Sequence, residues 1–159
     1  MPFDIKSSNL SEKAEVGFEF EVLMPGHEVY DEEGERMQDS DGNFLVDDSK
    51  RTGAFFKIRG GQSTKVKEFF KKNTIEMELR HQNRNPKAKK TRSDLERDQA
   101  EAENFTIDLC CLIVMGWRGF EEAGKELEFN EDNFRRVLKE NFWMTAQISE
   151  QAGKLENFM

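Results

Sequence analysis

Two histidines and two cysteines are the side chains best suited to nucleophilic or metal chemistry, and none sits where such chemistry needs it. His27 and His81 have no partner at His-x-x-x-His or Cys-x-x-Cys spacing, so no zinc site is expected. Cys110 and Cys111 are sequence neighbours, a poor arrangement for a disulfide because bridged residues come from separately oriented segments; both are expected as reduced thiols. Asp39-Ser40-Asp41-Gly42-Asn43 opens like a calcium loop, but Phe44 stands where that loop needs glycine and Lys50 where it needs glutamate. A plain Asp-Gly turn is the expectation. Gly60-Gly61-Gln62-Ser63-Thr64 precedes a helix without the lysine and spacing of a phosphate-binding loop. Carboxylates are so abundant that no pair stands out for acid-base work. No catalytic residue, cofactor or metal is expected.

Apolar side chains offer a different chemistry, the capture of another polypeptide. The chain has 14 Phe and 2 Trp, of which Trp117, Phe120, Phe129, Phe134, Phe142 and Trp143 crowd into the final third. Ile75 and Leu79 fall opposite Val66 and Phe70 on a predicted helix, which gives that helix a second apolar side. Phe142 and Trp143 are adjacent and cannot face one way, so core and surface both remain open to them. Trp117 and Phe120, which a small core can also claim, and Phe158 near the C-terminus complete the candidate protein-binding set.

The elements that position these residues follow from periodicity. Residues 1–13 are expected as a flexible arm. Residues 14–61 read as a small antiparallel β meander: Val16 to Leu23 alternates, Pro25-Gly26 turns the chain, and clusters at Asp31–Gly34 and Asp39–Asn43 punctuate two short segments. Ala54 to Arg59 is the last strand, closed by Gly60-Gly61. Residues 62–159 read as a helical region of about four helices, so the expected class is α+β. Ser63 or Thr64 caps the first helix, although Ile75, Met77 and Leu79 also alternate like a strand. Ser93 and Glu96 have the spacing of a capping box for a second helix that runs to Gly116. A short hairpin is expected over 117–129, then a helix Glu131 to Glu140 capped by Asn130, with Phe129 and Phe134 as a hydrophobic staple. A last helix is expected from about Phe142 to Ala152. No internal repeat is apparent.

The formal charge of −8 disfavours nucleic acid. Within it lies a basic island, Arg80 to Arg92, read as a solvated linker around Asn85-Pro86. The longest apolar stretch, Cys110 to Met115, is far too short for a membrane span, and the start lacks the pattern of a secretory leader.

The run Gly116-Trp117-Arg118-Gly119-Phe120, then Gly124-Lys125-Glu126-Leu127-Glu128-Phe129-Asn130, Phe142-Trp143, Gln147-Ile148 and Asn157-Phe158, resembles a pattern in tail assembly chaperones of long-tailed, non-contractile phages. It covers roughly the last 50 residues, and Phe142 stands where relatives often carry proline. The resemblance implies a non-enzymatic protein of the host cytoplasm that coats the tape-measure protein, helps recruit tail tube subunits, self-associates in some cases, and is absent from the mature virion. Two other roles suit a small acidic chain: a structural tail-completion or connector protein, and an acidic inhibitor of a host defence enzyme.

Overall fold

The computed structural model describes residues 10–83 and 89–158. It is α+β, with helices packed on one face of an antiparallel sheet. Alternation in β1 (Phe18–Leu23) turns Phe20 and Val22 inward, and in β2 (Arg51–Ile58) it does the same for Ala54, Phe56 and Ile58. β3 (Val114–Arg118) pairs with the other side of β2. The registers set Phe20, Phe56 and Trp117 in one row across the sheet. Phe56 is fully buried, with ring centroids of Phe120 and Phe134 at 5.0 and 5.9 Å.

The strand order is that of a meander, but its third strand does not come from residues 14–61. Both helices of a long hairpin intervene before β3. The helix expected to reach Gly116 ends at Ile113, and Val114 is already extended at φ −79°, ψ 124°. No loop separates helix from strand, so the apolar run 110–115 serves both. The hairpin expected over 117–129 shrinks accordingly to β4 (Glu121–Glu122) and β5 (Lys125–Glu126). Ala123 and Gly124 have φ of 51° and 78°, the paired left-handed conformation of a tight two-residue turn.

Between β1 and β2 the two short segments form a tongue of single bridges, Tyr30 to Arg36, Gln38 to Phe44 and Glu28 to Val46. It contains the repeat that was not apparent: Asp31 and Gly34 recur eight residues later as Asp39 and Gly42, and Asp47 begins a third unit. Asp31 Oδ1 accepts from the N–H of Glu33 and Glu35, and Asp39 Oδ1 from those of Asp41 and Asn43. Met37 N–H then donates to Val29 and Leu45 N–H to Met37. The shared signal is Asp-x-x-Gly at constant spacing, obscured because the residues between differ.

Of the expected arm, residues 1–9 lie outside the described residues, and helix α1 (Leu10–Glu15) covers the rest. Its Ala14 is buried, and the Ala14 carbonyl accepts from Gly60 N–H at 2.9 Å. α2 (Thr64–Gln82) is capped by Ser63, and Ile75, Met77 and Leu79 are helical. α3 (Arg92–Ile113) starts earlier than expected: Thr91 and Asp94 form the capping box in place of Ser93 and Glu96. Arg80 and Arg92 are thus helical, and Arg84 and Lys87 of the basic island lie outside the described residues. α4 (Glu131–Glu140) has its Asn130 cap and its staple, with Phe129 and Phe134 rings 5.7 Å apart. α5 (Met144–Gly153) begins after Phe142-Trp143, and a short 3-10 turn, Leu155–Phe158, follows. The far end of α3 joins α4 and α5 over the sheet, where Ile107, Cys110, Ile113, Leu138 and Ile148 are buried.

Candidate protein-binding surface

α2 and the first half of α3 form a hairpin that extends from this core. Among the described residues of α2 only Val66 is buried. Phe69, Phe70 and Phe105 cluster at its base, with Phe69 and Phe105 centroids 5.2 Å apart. Beyond them lies an open groove of about 1160 Å³ with Met77, Ala102 and Phe105 among its lining. That exceeds the roughly 300–1,000 Å³ of small-molecule sites. Its rim is charged: Arg80 meets Glu101 at 3.3 Å, and Lys90 meets Asp98 at 2.5 Å. Met77, Leu79, Ile75 and Leu95 are 66%, 55%, 52% and 55% exposed.

The structure divides the sequence-predicted residues. Ile75 and Leu79 lie together on the outer side of α2, one helical turn apart and exposed. Phe142 is also exposed, but it sits before α5 and not on the hairpin. Phe120 is buried and Trp117 packs against the core, the two rings stacked at 4.5 Å. Trp117 Nε1 donates to the Leu127 carbonyl at 2.9 Å. Trp143 and Phe158 also pack against the core, Phe158 edge-on to Phe18 at 6.1 Å. Those four stood as candidates for a partner surface, with the core open to Trp117, Phe120 and Trp143; Trp117 and Phe120 pack with Phe56 and Phe134, and Phe158 covers Phe18. The hydrophobic surface that sequence patterns missed is Met77 and Leu95 on the hairpin and Tyr30, Met37 and Phe44 on the tongue, all exposed.

The remaining chemical candidates are occupied or quiescent. Burial, then the neighbouring Cys111, pushes the Cys110 pKa up to about 12, and burial also raises that of Cys111. A thiol held neutral is a poor nucleophile. The Asp39 carboxylate is engaged by backbone N–H groups as described above. In the Gly60–Thr64 turn, Gly61 N–H donates to Ala152, Ser63 N–H to Gly60 and Thr64 N–H to Glu15. Among the described residues no group of three or more His, Cys, Asp or Glu is placed to hold a metal ion, and no helix is long and apolar enough to cross a membrane. On the face of the sheet that no described helix covers, Arg118 donates to Glu19 at 2.7 Å and lies 3.8 Å over the Phe55 ring. That hydrogen bond holds the Glu19 carboxyl below its usual range.

The family described as YdaY prophage protein matches residues 70–159, from the second turn of α2 to the C-terminus and more than half of the chain. The tongue lies outside the match. No curated protein and no solved structure matches the chain.

Proposed function

The chain belongs to the YdaY prophage protein family and is therefore of phage origin, and we propose that it is a non-enzymatic tail assembly chaperone. In this reading it works in the host cytoplasm, covers an amphipathic helix of the tape-measure protein, helps recruit tail tube subunits, and leaves before the virion is complete. The observation that carries it is the hairpin: α2 presents Ile75, Met77 and Leu79 to solvent while only Val66 is buried. A helix with apolar side chains so little covered is a surface for another helix, since hiding apolar groups from water is favourable. The groove between α2 and α3 sets Met77, Ala102 and Phe105 among charged side chains of both signs, which suits a helix with a few apolar anchors and charged flanks. The run 116–158 that resembles tail chaperones falls inside the family match and packs beside the base of this hairpin, which supports the same reading.

Co-expression with the tape-measure protein tests the proposal. The expected result is a soluble complex with the native chain and an insoluble tape-measure protein when Met77→Asp and Leu79→Asp are combined. A tape-measure protein that stays insoluble beside the native chain defeats it. Recovery of this chain in purified particles favours the connector role instead.

A further inference from the structure

We propose that the free edge of β1 takes up an extended segment of another protein, which joins the sheet as an added strand. This goes beyond the chaperone reading, whose surface is the helical hairpin, and does not rest on it. The order β1-β2-β3 leaves β1 at one edge of the sheet and β3 at the other. Beside β3 runs the segment 120–127, whose Leu127 carbonyl accepts from Trp117 Nε1 and whose Leu127 N–H donates to Phe120. β1 has no such neighbour among the described residues except at its end, where the Gln147 amide meets Leu23.

Alternation fixes where each peptide group of β1 points. Met24 N–H donates to the Lys50 carbonyl, and the Val22 carbonyl accepts from Thr52 Oγ1, so these residues turn their peptide groups toward β2. The irregularity after Glu21 lies in β2, where Gly53 has φ 71°, and β1 keeps its alternation throughout. Glu19, Glu21 and Leu23 therefore turn their N–H and carbonyl groups to the edge. Gln147 satisfies both groups of Leu23 with one planar amide, as the backbone of a neighbouring strand would. The backbone groups of Glu19 and Glu21 that continue this row have no partner among the described residues. A row of donors and acceptors at every second residue is complementary to another strand.

Side chains beside the edge select what that strand carries. Its residues alternate between the two faces of the sheet. On the helix side stand Phe18 and Phe158, edge-on at 6.1 Å and both only partly buried, which an apolar side chain would cover. On the opposite face the carboxylates of Glu19 and Glu21 belong to the edge strand itself, whereas their partners Arg118 and Arg51 reach them from β3 and β2. Both Arg118 hydrogen bonds go to Glu19 Oε1, which leaves Oε2 without a partner among the described residues. Negative charge thus faces the edge, and the occupant it favours is an extended segment in which apolar and basic residues alternate.

Two linear peptides of alternating valine and lysine supply the test, one with an ordinary backbone and one N-methylated throughout, each followed by fluorescence anisotropy against the full chain. The ordinary peptide is expected to bind at least about tenfold more tightly, because the two share their charge and side chains and differ in backbone donors. Proline is tolerated on an edge strand where its nitrogen faces outward. Glu19→Pro is therefore expected to stay folded by circular dichroism, yet to bind the ordinary peptide at least about tenfold more weakly than Glu19→Ala, which keeps the N–H. Hydrogen exchange at the amides of Glu19 and Glu21 is expected to slow when the peptide is bound. A native chain that ignores the ordinary peptide overturns the proposal. So does equal binding of the two peptides, and so does exchange that slows along the hairpin while Glu19 and Glu21 exchange as before. Protection of those two amides that rises with the concentration of the chain alone would put a second copy at the edge, and overturns the proposal as well.

Discussion

The side-chain amide of Gln147 and the backbone of Leu23 make two hydrogen bonds at once: Nε2 donates to the Leu23 carbonyl at 2.6 Å, and the Leu23 N–H donates to Oε1 at 3.0 Å. Leu23 ends β1, an edge strand whose register slips after Glu21. The amide from α5 thus replaces a missing neighbour strand and ties helix layer to sheet. Gln147→Leu leaves both backbone groups unpaired in a partly buried place and is expected to cost about 1–3 kcal/mol. A urea midpoint that falls while the slope holds is the expected readout; an unmoved midpoint means that water replaces the amide without loss.

The glycines at 116 and 119 look equivalent in sequence but do different work. A Cβ on Gly119 would lie 2.3 Å from the Gly53 carbonyl oxygen, at a φ of +80°. Around Gly116 no atom falls within 4 Å of such a Cβ. Gly119→Ala is therefore expected to destabilise by roughly 2–4 kcal/mol, because clash and left-handed strain add. Gly116→Ala is expected to stay within about 1 kcal/mol of the native chain. Equal losses in thermal melts would contradict the geometry.

What could be read in the sequence was local. Asn130 with Phe129 and Phe134 specified α4 to the residue, because cap and staple lie within one turn of each other. β3 was hidden, since its residues continue the apolar run of α3 and only pairing with β2, more than 50 residues earlier, makes them a strand. Trp117 and Phe120 stayed open between core and partner surface for the same reason: their environment is built by Phe56 and Phe134, which arrive from elsewhere in the chain. Ile75 and Leu79 were legible because exposure on the far side of a helix follows from spacing alone. The tongue was half legible, its turns plain and its eight-residue repeat not.

Cys110 makes stability depend on alkaline pH. Burial and the adjacent thiol raise its pKa from 9.0 to about 12. Below pH 9 the thiol is protonated folded and unfolded, and its contribution is constant. Above pH 9 the unfolded chain loses the proton and the folded chain keeps it, so stability falls as pH rises toward 12, by at most about 1.4 kcal/mol per unit. Urea midpoints between pH 9 and 10.5 are expected to fall more steeply for the native chain than for Cys110→Ala. Identical slopes would place the alkaline sensitivity in other groups.

Binding and stability should separate at the hairpin and coincide at the core. Ile75 and Leu79 are more than half exposed, so Ile75→Asp and Leu79→Asp are each expected to change folding stability by less than about 0.5 kcal/mol. Trp117 touches the rings of Phe120, Phe129 and Phe134 and donates a hydrogen bond to Leu127. Trp117→Ala is expected to cost about 3–5 kcal/mol. If the outer strip of α2 meets another chain, the aspartate variants lose association while retaining native circular dichroism and urea midpoints. Trp117→Ala, in contrast, loses association only in proportion to its unfolded fraction, and conditions that restore folding restore association with it. Aspartate variants that associate as well as the native chain would remove the strip from the contact altogether, whichever partner occupies it.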